Sequence, residues 1–186
     1  MIAAFHRRRD VLLFTDWTLL RLFPPLRAMW ARIGQQASVP ITGHNAKGVL
    51  FGAINVRSAC RTLYLASKAG SQAACQFLRR LRSVYRRAGT LWLLADRASG
   101  HTAKVTQRLA ARLHIRFVWL PKQCSELNAM DQLWRELKRL IAANRQASSI
   151  EALLARAALW VSCLTPAQAR IKAGMASAHF WLRSLF

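Results

Sequence analysis

Acidic residues are scarce in this chain, 7 against 29 Lys and Arg in 186 residues, so their positions are informative. Asp16 ends the apolar run VLLFTD, Asp96 ends TLWLLAD, and Asp131 stands near the start of a predicted helix. An acid at the tip of a buried strand contributes little to solubility. Three such carboxylates brought together would bind divalent cations, and hard oxygen donors suit Mg2+ or Mn2+. Two ions about 3.5 to 4 Å apart clamp the attacking and leaving oxygens of an in-line displacement at phosphorus, so the chemistry indicated is phosphodiester cleavage or transfer. Each acid taken singly has an ordinary reading too. Asp131 would favour a helix N-terminus by under ~1 kcal/mol, and Asp16 and Asp96 would be strand-end partners of arginines.

The elements that must position these acids follow from periodicity. Val11 to Trp17, Lys47 to Val56 and Cys60 to Ser67 read as strands, the second and third joined by so short a connection that an antiparallel hairpin is expected. Ser71 to Arg87 reads as a helix, with Ala74, Phe77, Leu78, Leu81 and Val84 on its apolar face and Arg79, Arg80, Arg82, Arg86 and Arg87 largely elsewhere. Thr90 to Asp96 is a fourth strand, His101 to Leu113 a helix, and Ile115 to Leu120 a fifth strand stopped by Pro121. Asn128 to Asn144 reads as a helix capped by Asn128, and Ser148 to Leu164 as another, before Thr165-Pro166 restarts a shorter one. The order β-β-β-α-β-α-β-α-α is that of an α/β, ribonuclease H-like mixed sheet covered by helices. In such a sheet the fourth strand pairs with the first, which makes Asp16 and Asp96 neighbours, and the Asn128 helix brings Asp131 over the same edge.

Composition bounds the rest. The length and 53% hydrophobic content suit one domain with a core, residues 1–186, its centre at about 11–164 and 165–186 a helical tail. A formal net charge of +22 calls for a polyanionic partner, nucleic acid first. Cys60, Cys75, Cys124 and Cys163 are scattered without zinc-site spacing, which fits free thiols in a reducing compartment. His6, His44, His114 and His179 have no ligand spacing. No apolar stretch reaches membrane-span length and Met1 to Asp10 has no signal-like apolar core, so a cytoplasmic protein without a membrane partner is expected.

Three segments carry a family resemblance. LLADRASGHTAKVTQRL resembles the second-aspartate motif D-x-x-x-x-H of DDE transposases in the mariner superfamily, especially the bacterial insertion-sequence branch. WLPKQCSELNAMDQLWRELK is similar to that family's LP-x-x-S-x-x-LN-x-x-[E/D]-x-x-W-x-x-x-K block, and 34 residues separate Asp96 from Asp131, the family's spacing of its second and third acids. FTDWTLLRLFPPLRAMWARIGQ resembles the first-aspartate block, with Trp30, Gly34 and Gln35 matching its W-x-x-x-G-Q tail. The resemblance runs from about Val11 to Leu164. Departures are Trp17 where Glu is common, Arg97 where Asn is usual, and Asp131 where the bacterial branch has Glu.

The resemblance implies a transposase catalytic domain performing metal-dependent DNA cleavage and strand transfer in cut-and-paste transposition of an insertion sequence. Asp16, Asp96 and Asp131 would be the catalytic metal ligands for two Mg2+ or Mn2+ ions, with His101 and Asn128 orienting them or the substrate. The freed 3′-hydroxyl would then attack target DNA, typically at TA. Arg97, Trp134, Arg135 and Lys138 are the candidate DNA contacts, the last three following Asp131 at i+3, i+4 and i+7 and so sharing its face. Element ends and target DNA are the expected partners, held by a homodimer in the nucleoid. Only 15 residues precede Asp16, too few for the family's helix-turn-helix reader, so a separately encoded N-terminal half is a further expected partner. The alternatives are a catalytically inactive, basic DNA-binding remnant and a ribonuclease H-like nuclease of repair or RNA metabolism. The LN-x-x-D-x-x-W-x-x-x-K block argues against the last.

Overall fold

Val11–Arg21 forms the central strand, β1, in a computed structural model that describes residues 9–41 and 43–183. His6 and the last three residues of the expected tail lie outside the described residues. β1 pairs antiparallel with β2 (Lys47–Asn55), which pairs antiparallel with β3 (Arg61–Ala66). On its other side β1 runs parallel to β4 (Leu91–Ala95), and β4 parallel to β5 (Ile115–Trp119). The sheet order is therefore β3-β2-β1-β4-β5, with the fourth strand beside the first as expected.

β1 is longer than its apolar run. Thr15, Asp16 and Thr18 interrupt the hydrophobic pattern, but β2 continues the ladder past them, with Asp16 opposite Gly52 and Arg21 opposite Lys47. Asp16 thus lies within the strand and not at its end. It is instead where β1 outruns β4, whose last registered pair with it is Phe14 and Leu94.

Alternation along the strands divides the core. Phe14, Leu20, Leu50 and Ile54 face α4 (Ala129–Leu137) and α5 (Ile150–Cys163) in one apolar cluster. Leu13, Val49, Phe51, Leu91 and Leu93 face α1 (Ser71–Val84) in the other, which Ala110 of α3 (Lys104–Arg112) joins. Asp16 shares the parity of Phe14 and so faces α4. Arg61 of β3 donates to the carbonyls of Val161, Ser162 and Leu164, satisfying acceptors that the end of α5 leaves free. Thr165 and Gln168 then form a capping box, with Pro166 opening α6 (Pro166–Lys172).

The helix expected over His101 to Leu113 is broken. A short α2 (Ser99–Thr102) ends at Ala103, whose φ of −55° and ψ of 135° are extended, and α3 starts afresh. Side chains take up the carbonyls released: Thr106 Oγ1 donates to Gly100 O at 2.7 Å and Gln107 Nε2 to His101 O at 2.6 Å. Two other helices are shorter than periodicity suggests. α1 stops at Val84, and α4 gives way at Lys138 to a π-helical turn, Lys138–Ala142, instead of continuing to Asn144.

Candidate active site

The first two acids are positioned by the parallel pairing. With Phe14 opposite Leu94, a step of two residues along each strand brings Asp16 level with Asp96, just beyond the end of β4. The third is brought by α4. Asn128 caps that helix, its Oδ1 accepting from Met130 N at 3.1 Å while its Nδ2 donates to Thr15 O at 3.2 Å. One buried amide thus starts the helix and fastens it to the backbone beside Asp16. All three aspartates line a single open cavity of about 630 Å³, together with Asn128, Arg97 and Lys122.

The acids differ electrostatically. Burial pushes Asp16 up to about 7, and the negative charges of Asp96 and Asp131 add to the rise. Asp96 is held below the usual carboxylate range, first by its hydrogen bond with His101. The His101 ring is buried, and its Nδ1 lies 3.2 Å from Asp96 Oδ1 and 3.4 Å from Asp96 O, a geometry in which the Nδ1–H donates. Phe117 backs the ring at 5.7 Å between centroids. The Asp96 carboxylate keeps 56% of its side chain exposed and faces the cavity. Asp131 is engaged by Arg135, whose Nη2 and Nε donate to its Oδ2 at 2.7 and 3.0 Å, and whose Nη2 also reaches Ser125 Oγ at 3.3 Å.

No three His, Cys, Asp or Glu side chains among the described residues stand close enough to surround one ion. Asp16 senses the negative charge of both Asp96 and Asp131, so the three carboxylates on the cavity act on one another electrostatically. Such a set of acids suits more than one divalent cation.

The expected DNA contacts separate. Arg97 is exposed on the cavity rim and pairs with no carboxylate among the described residues. Arg135 is exposed but pairs with Asp131, and Lys138 is half-buried at the start of the π turn. Trp134 is a correction: it is 1% exposed and packs in the core. At about 100° per residue, a residue three positions after Asp131 lies about 60° to one side and one four positions on about 40° to the other, so sheet and solvent divide them. Trp17 alternates to the opposite face from Asp16, its ring 6.4 Å from Phe51.

Two features escaped sequence reading. Lys122, on the rim, lies in the loop that Pro121 opens, and its charge had no pattern to mark it. Gly52 stands directly opposite Asp16, and a Cβ there would meet Met130 Cε at 2.6 Å and the Trp134 ring at 2.6 and 2.8 Å. An isolated glycine inside a strand is the signal for such a close approach.

A family model described as DDE superfamily endonuclease matches residues 11–154. The chain is 28% identical over 172 residues to the insertion element IS630 uncharacterized 39 kDa protein of Shigella sonnei, covering 89% of this chain and 50% of that protein. It therefore spans about half the length of the curated relative it matches. Its fold is like that of the Mos1 transposase in a paired-end complex with the left transposon end, with TM-score 0.65, 15% identity and coverage of 88% of this chain and 51% of that one. The Mos1 transposase catalytic domain with Raltegravir and Mg gives TM-score 0.59 at 14% identity, covering 88% and 76%. The ribonuclease H-like expectation for the sheet agrees with this likeness. All three cavity aspartates fall inside the matched segment, and the chain belongs to the DDE superfamily endonucleases.

Proposed function

We propose that this chain is the catalytic domain of an insertion-sequence transposase, cleaving DNA at element ends and joining the freed 3′-hydroxyl to target DNA. The observation that carries this reading is the convergence of Asp16, Asp96 and Asp131 on one cavity, where the charges of the other two act on Asp16. The donor set is all carboxylate oxygen, which fits Mg2+ or Mn2+. Mos1 complexes with Mn and with Mg are relatives in fold. Asp16 with Asp96, and Asp16 with Asp131, would hold two ions. Bound there, such ions activate a water or hydroxyl nucleophile and neutralise charge on the phosphoryl oxygens.

The chain's own residues do the rest. His101 fixes the Asp96 carboxylate from behind, so its free face stays directed at the cavity. Asn128 ties the Asp131 helix to β1. Arg97 and Lys122 put positive charge on the rim, where a phosphate chain would enter. A homodimer on DNA, a separately encoded helix-turn-helix half and a location at the nucleoid belong to the same reading. Among the described residues no single helix is long and apolar enough to cross a membrane.

The test needs no knowledge of the DNA. A ligand bound only by the folded state raises its stability by RT ln(1 + [L]/Kd). Millimolar Mn2+ is expected to raise the melting temperature of the wild type and not that of Asp96→Ala. Equal responses would sink the metal assignment.

The Arg135–Asp131 pair favours a second reading, a basic DNA-binding remnant whose third acid is taken. Magnitude argues against it. An i,i+4 pair exposed to this degree is worth about 0.3–0.5 kcal/mol, so Arg135→Ala is expected to tighten Mn2+ binding only about twofold. Tightening beyond tenfold in a Mn2+ titration would mean that the pair closes the site, and the remnant would be the better description.

A further inference from the structure

At the opposite end of the sheet from the carboxylates lies a second concavity, of about 820 Å³, lined by Arg9, Asp10, Arg82, Arg86, Thr90 and His114 among others. These residues precede β1, β4 and β5 or end α1, so the site is made where the parallel strands begin, whereas the carboxylates sit where they finish. Thr90 and Asp96 bracket β4, and at about 3.3 Å per residue the two ends are roughly 20 Å apart. No single phosphate can serve both.

The charges here are disposed for an anion. Asp10, the acid in the lining, has both oxygens engaged: Oδ1 accepts from Thr90 N at 2.9 Å and Oδ2 from Trp92 Nε1 at 3.0 Å. Arg82 is structural, donating to the carbonyls of Gly89 at 3.0 Å, Ala88 at 2.9 Å, Leu113 at 3.4 Å and Tyr85. Both terminal nitrogens are engaged but its charge remains, and it fixes the rim by joining the end of α1 to the starts of β4 and β5. Arg9 and Arg86 are exposed and form no ion pair among the described residues. Arg87 and Arg112 stand exposed at the ends of the flanking helices, and Arg79 and Arg80 continue the positive charge along α1.

We propose that this concavity binds the phosphodiester backbone of a nucleic acid duplex, a second contact remote from the cleavage site. The inference rests on the proposed DNA-cleaving function for its partner. Duplex advances ~3.4 Å per base pair, so a strand whose reacting phosphate lies at the carboxylates would present to Arg9 and Arg86 phosphates about six nucleotides away. Such a contact positions the duplex without reading its sequence.

The experiment compares wild type with Arg9→Ala/Arg86→Ala, leaving Arg82 in place. Anisotropy of a labelled 30-base-pair duplex is measured without divalent metal across a KCl series, and thermal shifts are recorded with inorganic phosphate and, separately, with Mn2+. Each phosphate contact contributes ~0.9 to the slope of log affinity against log salt, so the double variant is expected to lose about 1.8 from the slope and about tenfold in affinity at moderate salt. Arg9→Lys/Arg86→Lys should restore most of both. The phosphate shift should fall in the alanine variant and persist in Asp96→Ala.

An unchanged salt slope overturns the proposal, and so does a wild type that binds no duplex. A phosphate shift lost while duplex binding is untouched would make this a free-anion site and overturn the backbone assignment. The Mn2+ shift reports the carboxylates separately. Its absence with the salt slope behaving as expected sinks the catalytic reading and supports this one.

Discussion

Asp16→Asn is expected to stabilise the metal-free protein above pH 7 while ending DNA cleavage. The carboxyl is half-buried, and desolvation, reinforced by the two neighbouring acids, raises it from 3.8 to about 7. In the unfolded chain Asp16 ionises near its ordinary value, so between pH 4 and 7 the folded state holds a proton that the unfolded state has released. Stability from this group is complete below the unfolded value and is lost as pH rises through the folded one. An asparagine never ionises and escapes the loss. In a chain of this size each 1 kcal/mol recovered raises the melting temperature by about 2–4 °C. In chelator, the variant should therefore melt above wild type at pH 8 and level with it at pH 4. Cleavage should fall by about 10³-fold, since ~4 kcal/mol of lost charge stabilisation corresponds to that factor. A variant no more stable at pH 8 than at pH 4, relative to wild type, would mean that the carboxylate is not strained by its burial. Full cleavage activity would remove Asp16 from the site.

The same residue explains what the sequence reveals and what it hides. Scarcity of acids and the ends of apolar runs pointed to Asp16 and Asp96, and the pairing of the fourth strand with the first put them level. The cap at Asn128 was legible too, because its side chain satisfies an amide that a helix start must leave free, and so was the restart at Thr165-Pro166. Other features depend on partners distant in sequence. β1 reaches Arg21 because β2 continues its ladder there, which no property of Asp16 to Arg21 alone dictates. The break at Ala103 accompanies the turn of His101 toward Asp96, and Thr106 and Gln107 compensate for it from one turn on. Arg97 follows Asp96 directly in sequence, yet Arg135 is the arginine that pairs with one of the three acids, because i,i+4 spacing on a helix brings it to Asp131. Spacing from Asp131 places Trp134 outward only if i+3 and i+4 share one face. On a helix lying over a sheet, the boundary between core and solvent falls between them.

That inward Trp134 makes Gly52 the residue on which the third carboxylate's position depends. β2 meets the ring of a tryptophan that is 1% exposed, and the contact lies directly opposite Asp16. A methyl at position 52 would stand 2.6 Å from the ring and from Met130 Cε. Met130 ends in a flexible thioether and can turn aside, whereas the indole is hemmed in by the core. Gly52→Ala must therefore lift α4 by several tenths of an ångström, and Asp131 rides on the first turn of that helix. Overpacking of this kind costs about 1–3 kcal/mol, offset by the roughly 0.5–1 kcal/mol that alanine recovers over glycine in backbone entropy. Stability should fall only modestly. Cleavage should fall by about 10²-fold, the penalty for a catalytic group misplaced by ~1 Å. The double variant Gly52→Ala/Trp134→Leu exchanges the ring for a smaller side chain and should recover part of the cleavage lost in Gly52→Ala, a coupling that independent sites would not show. Strict additivity of the two substitutions, or full activity in Gly52→Ala, would mean that α4 is positioned by its Asn128 cap alone.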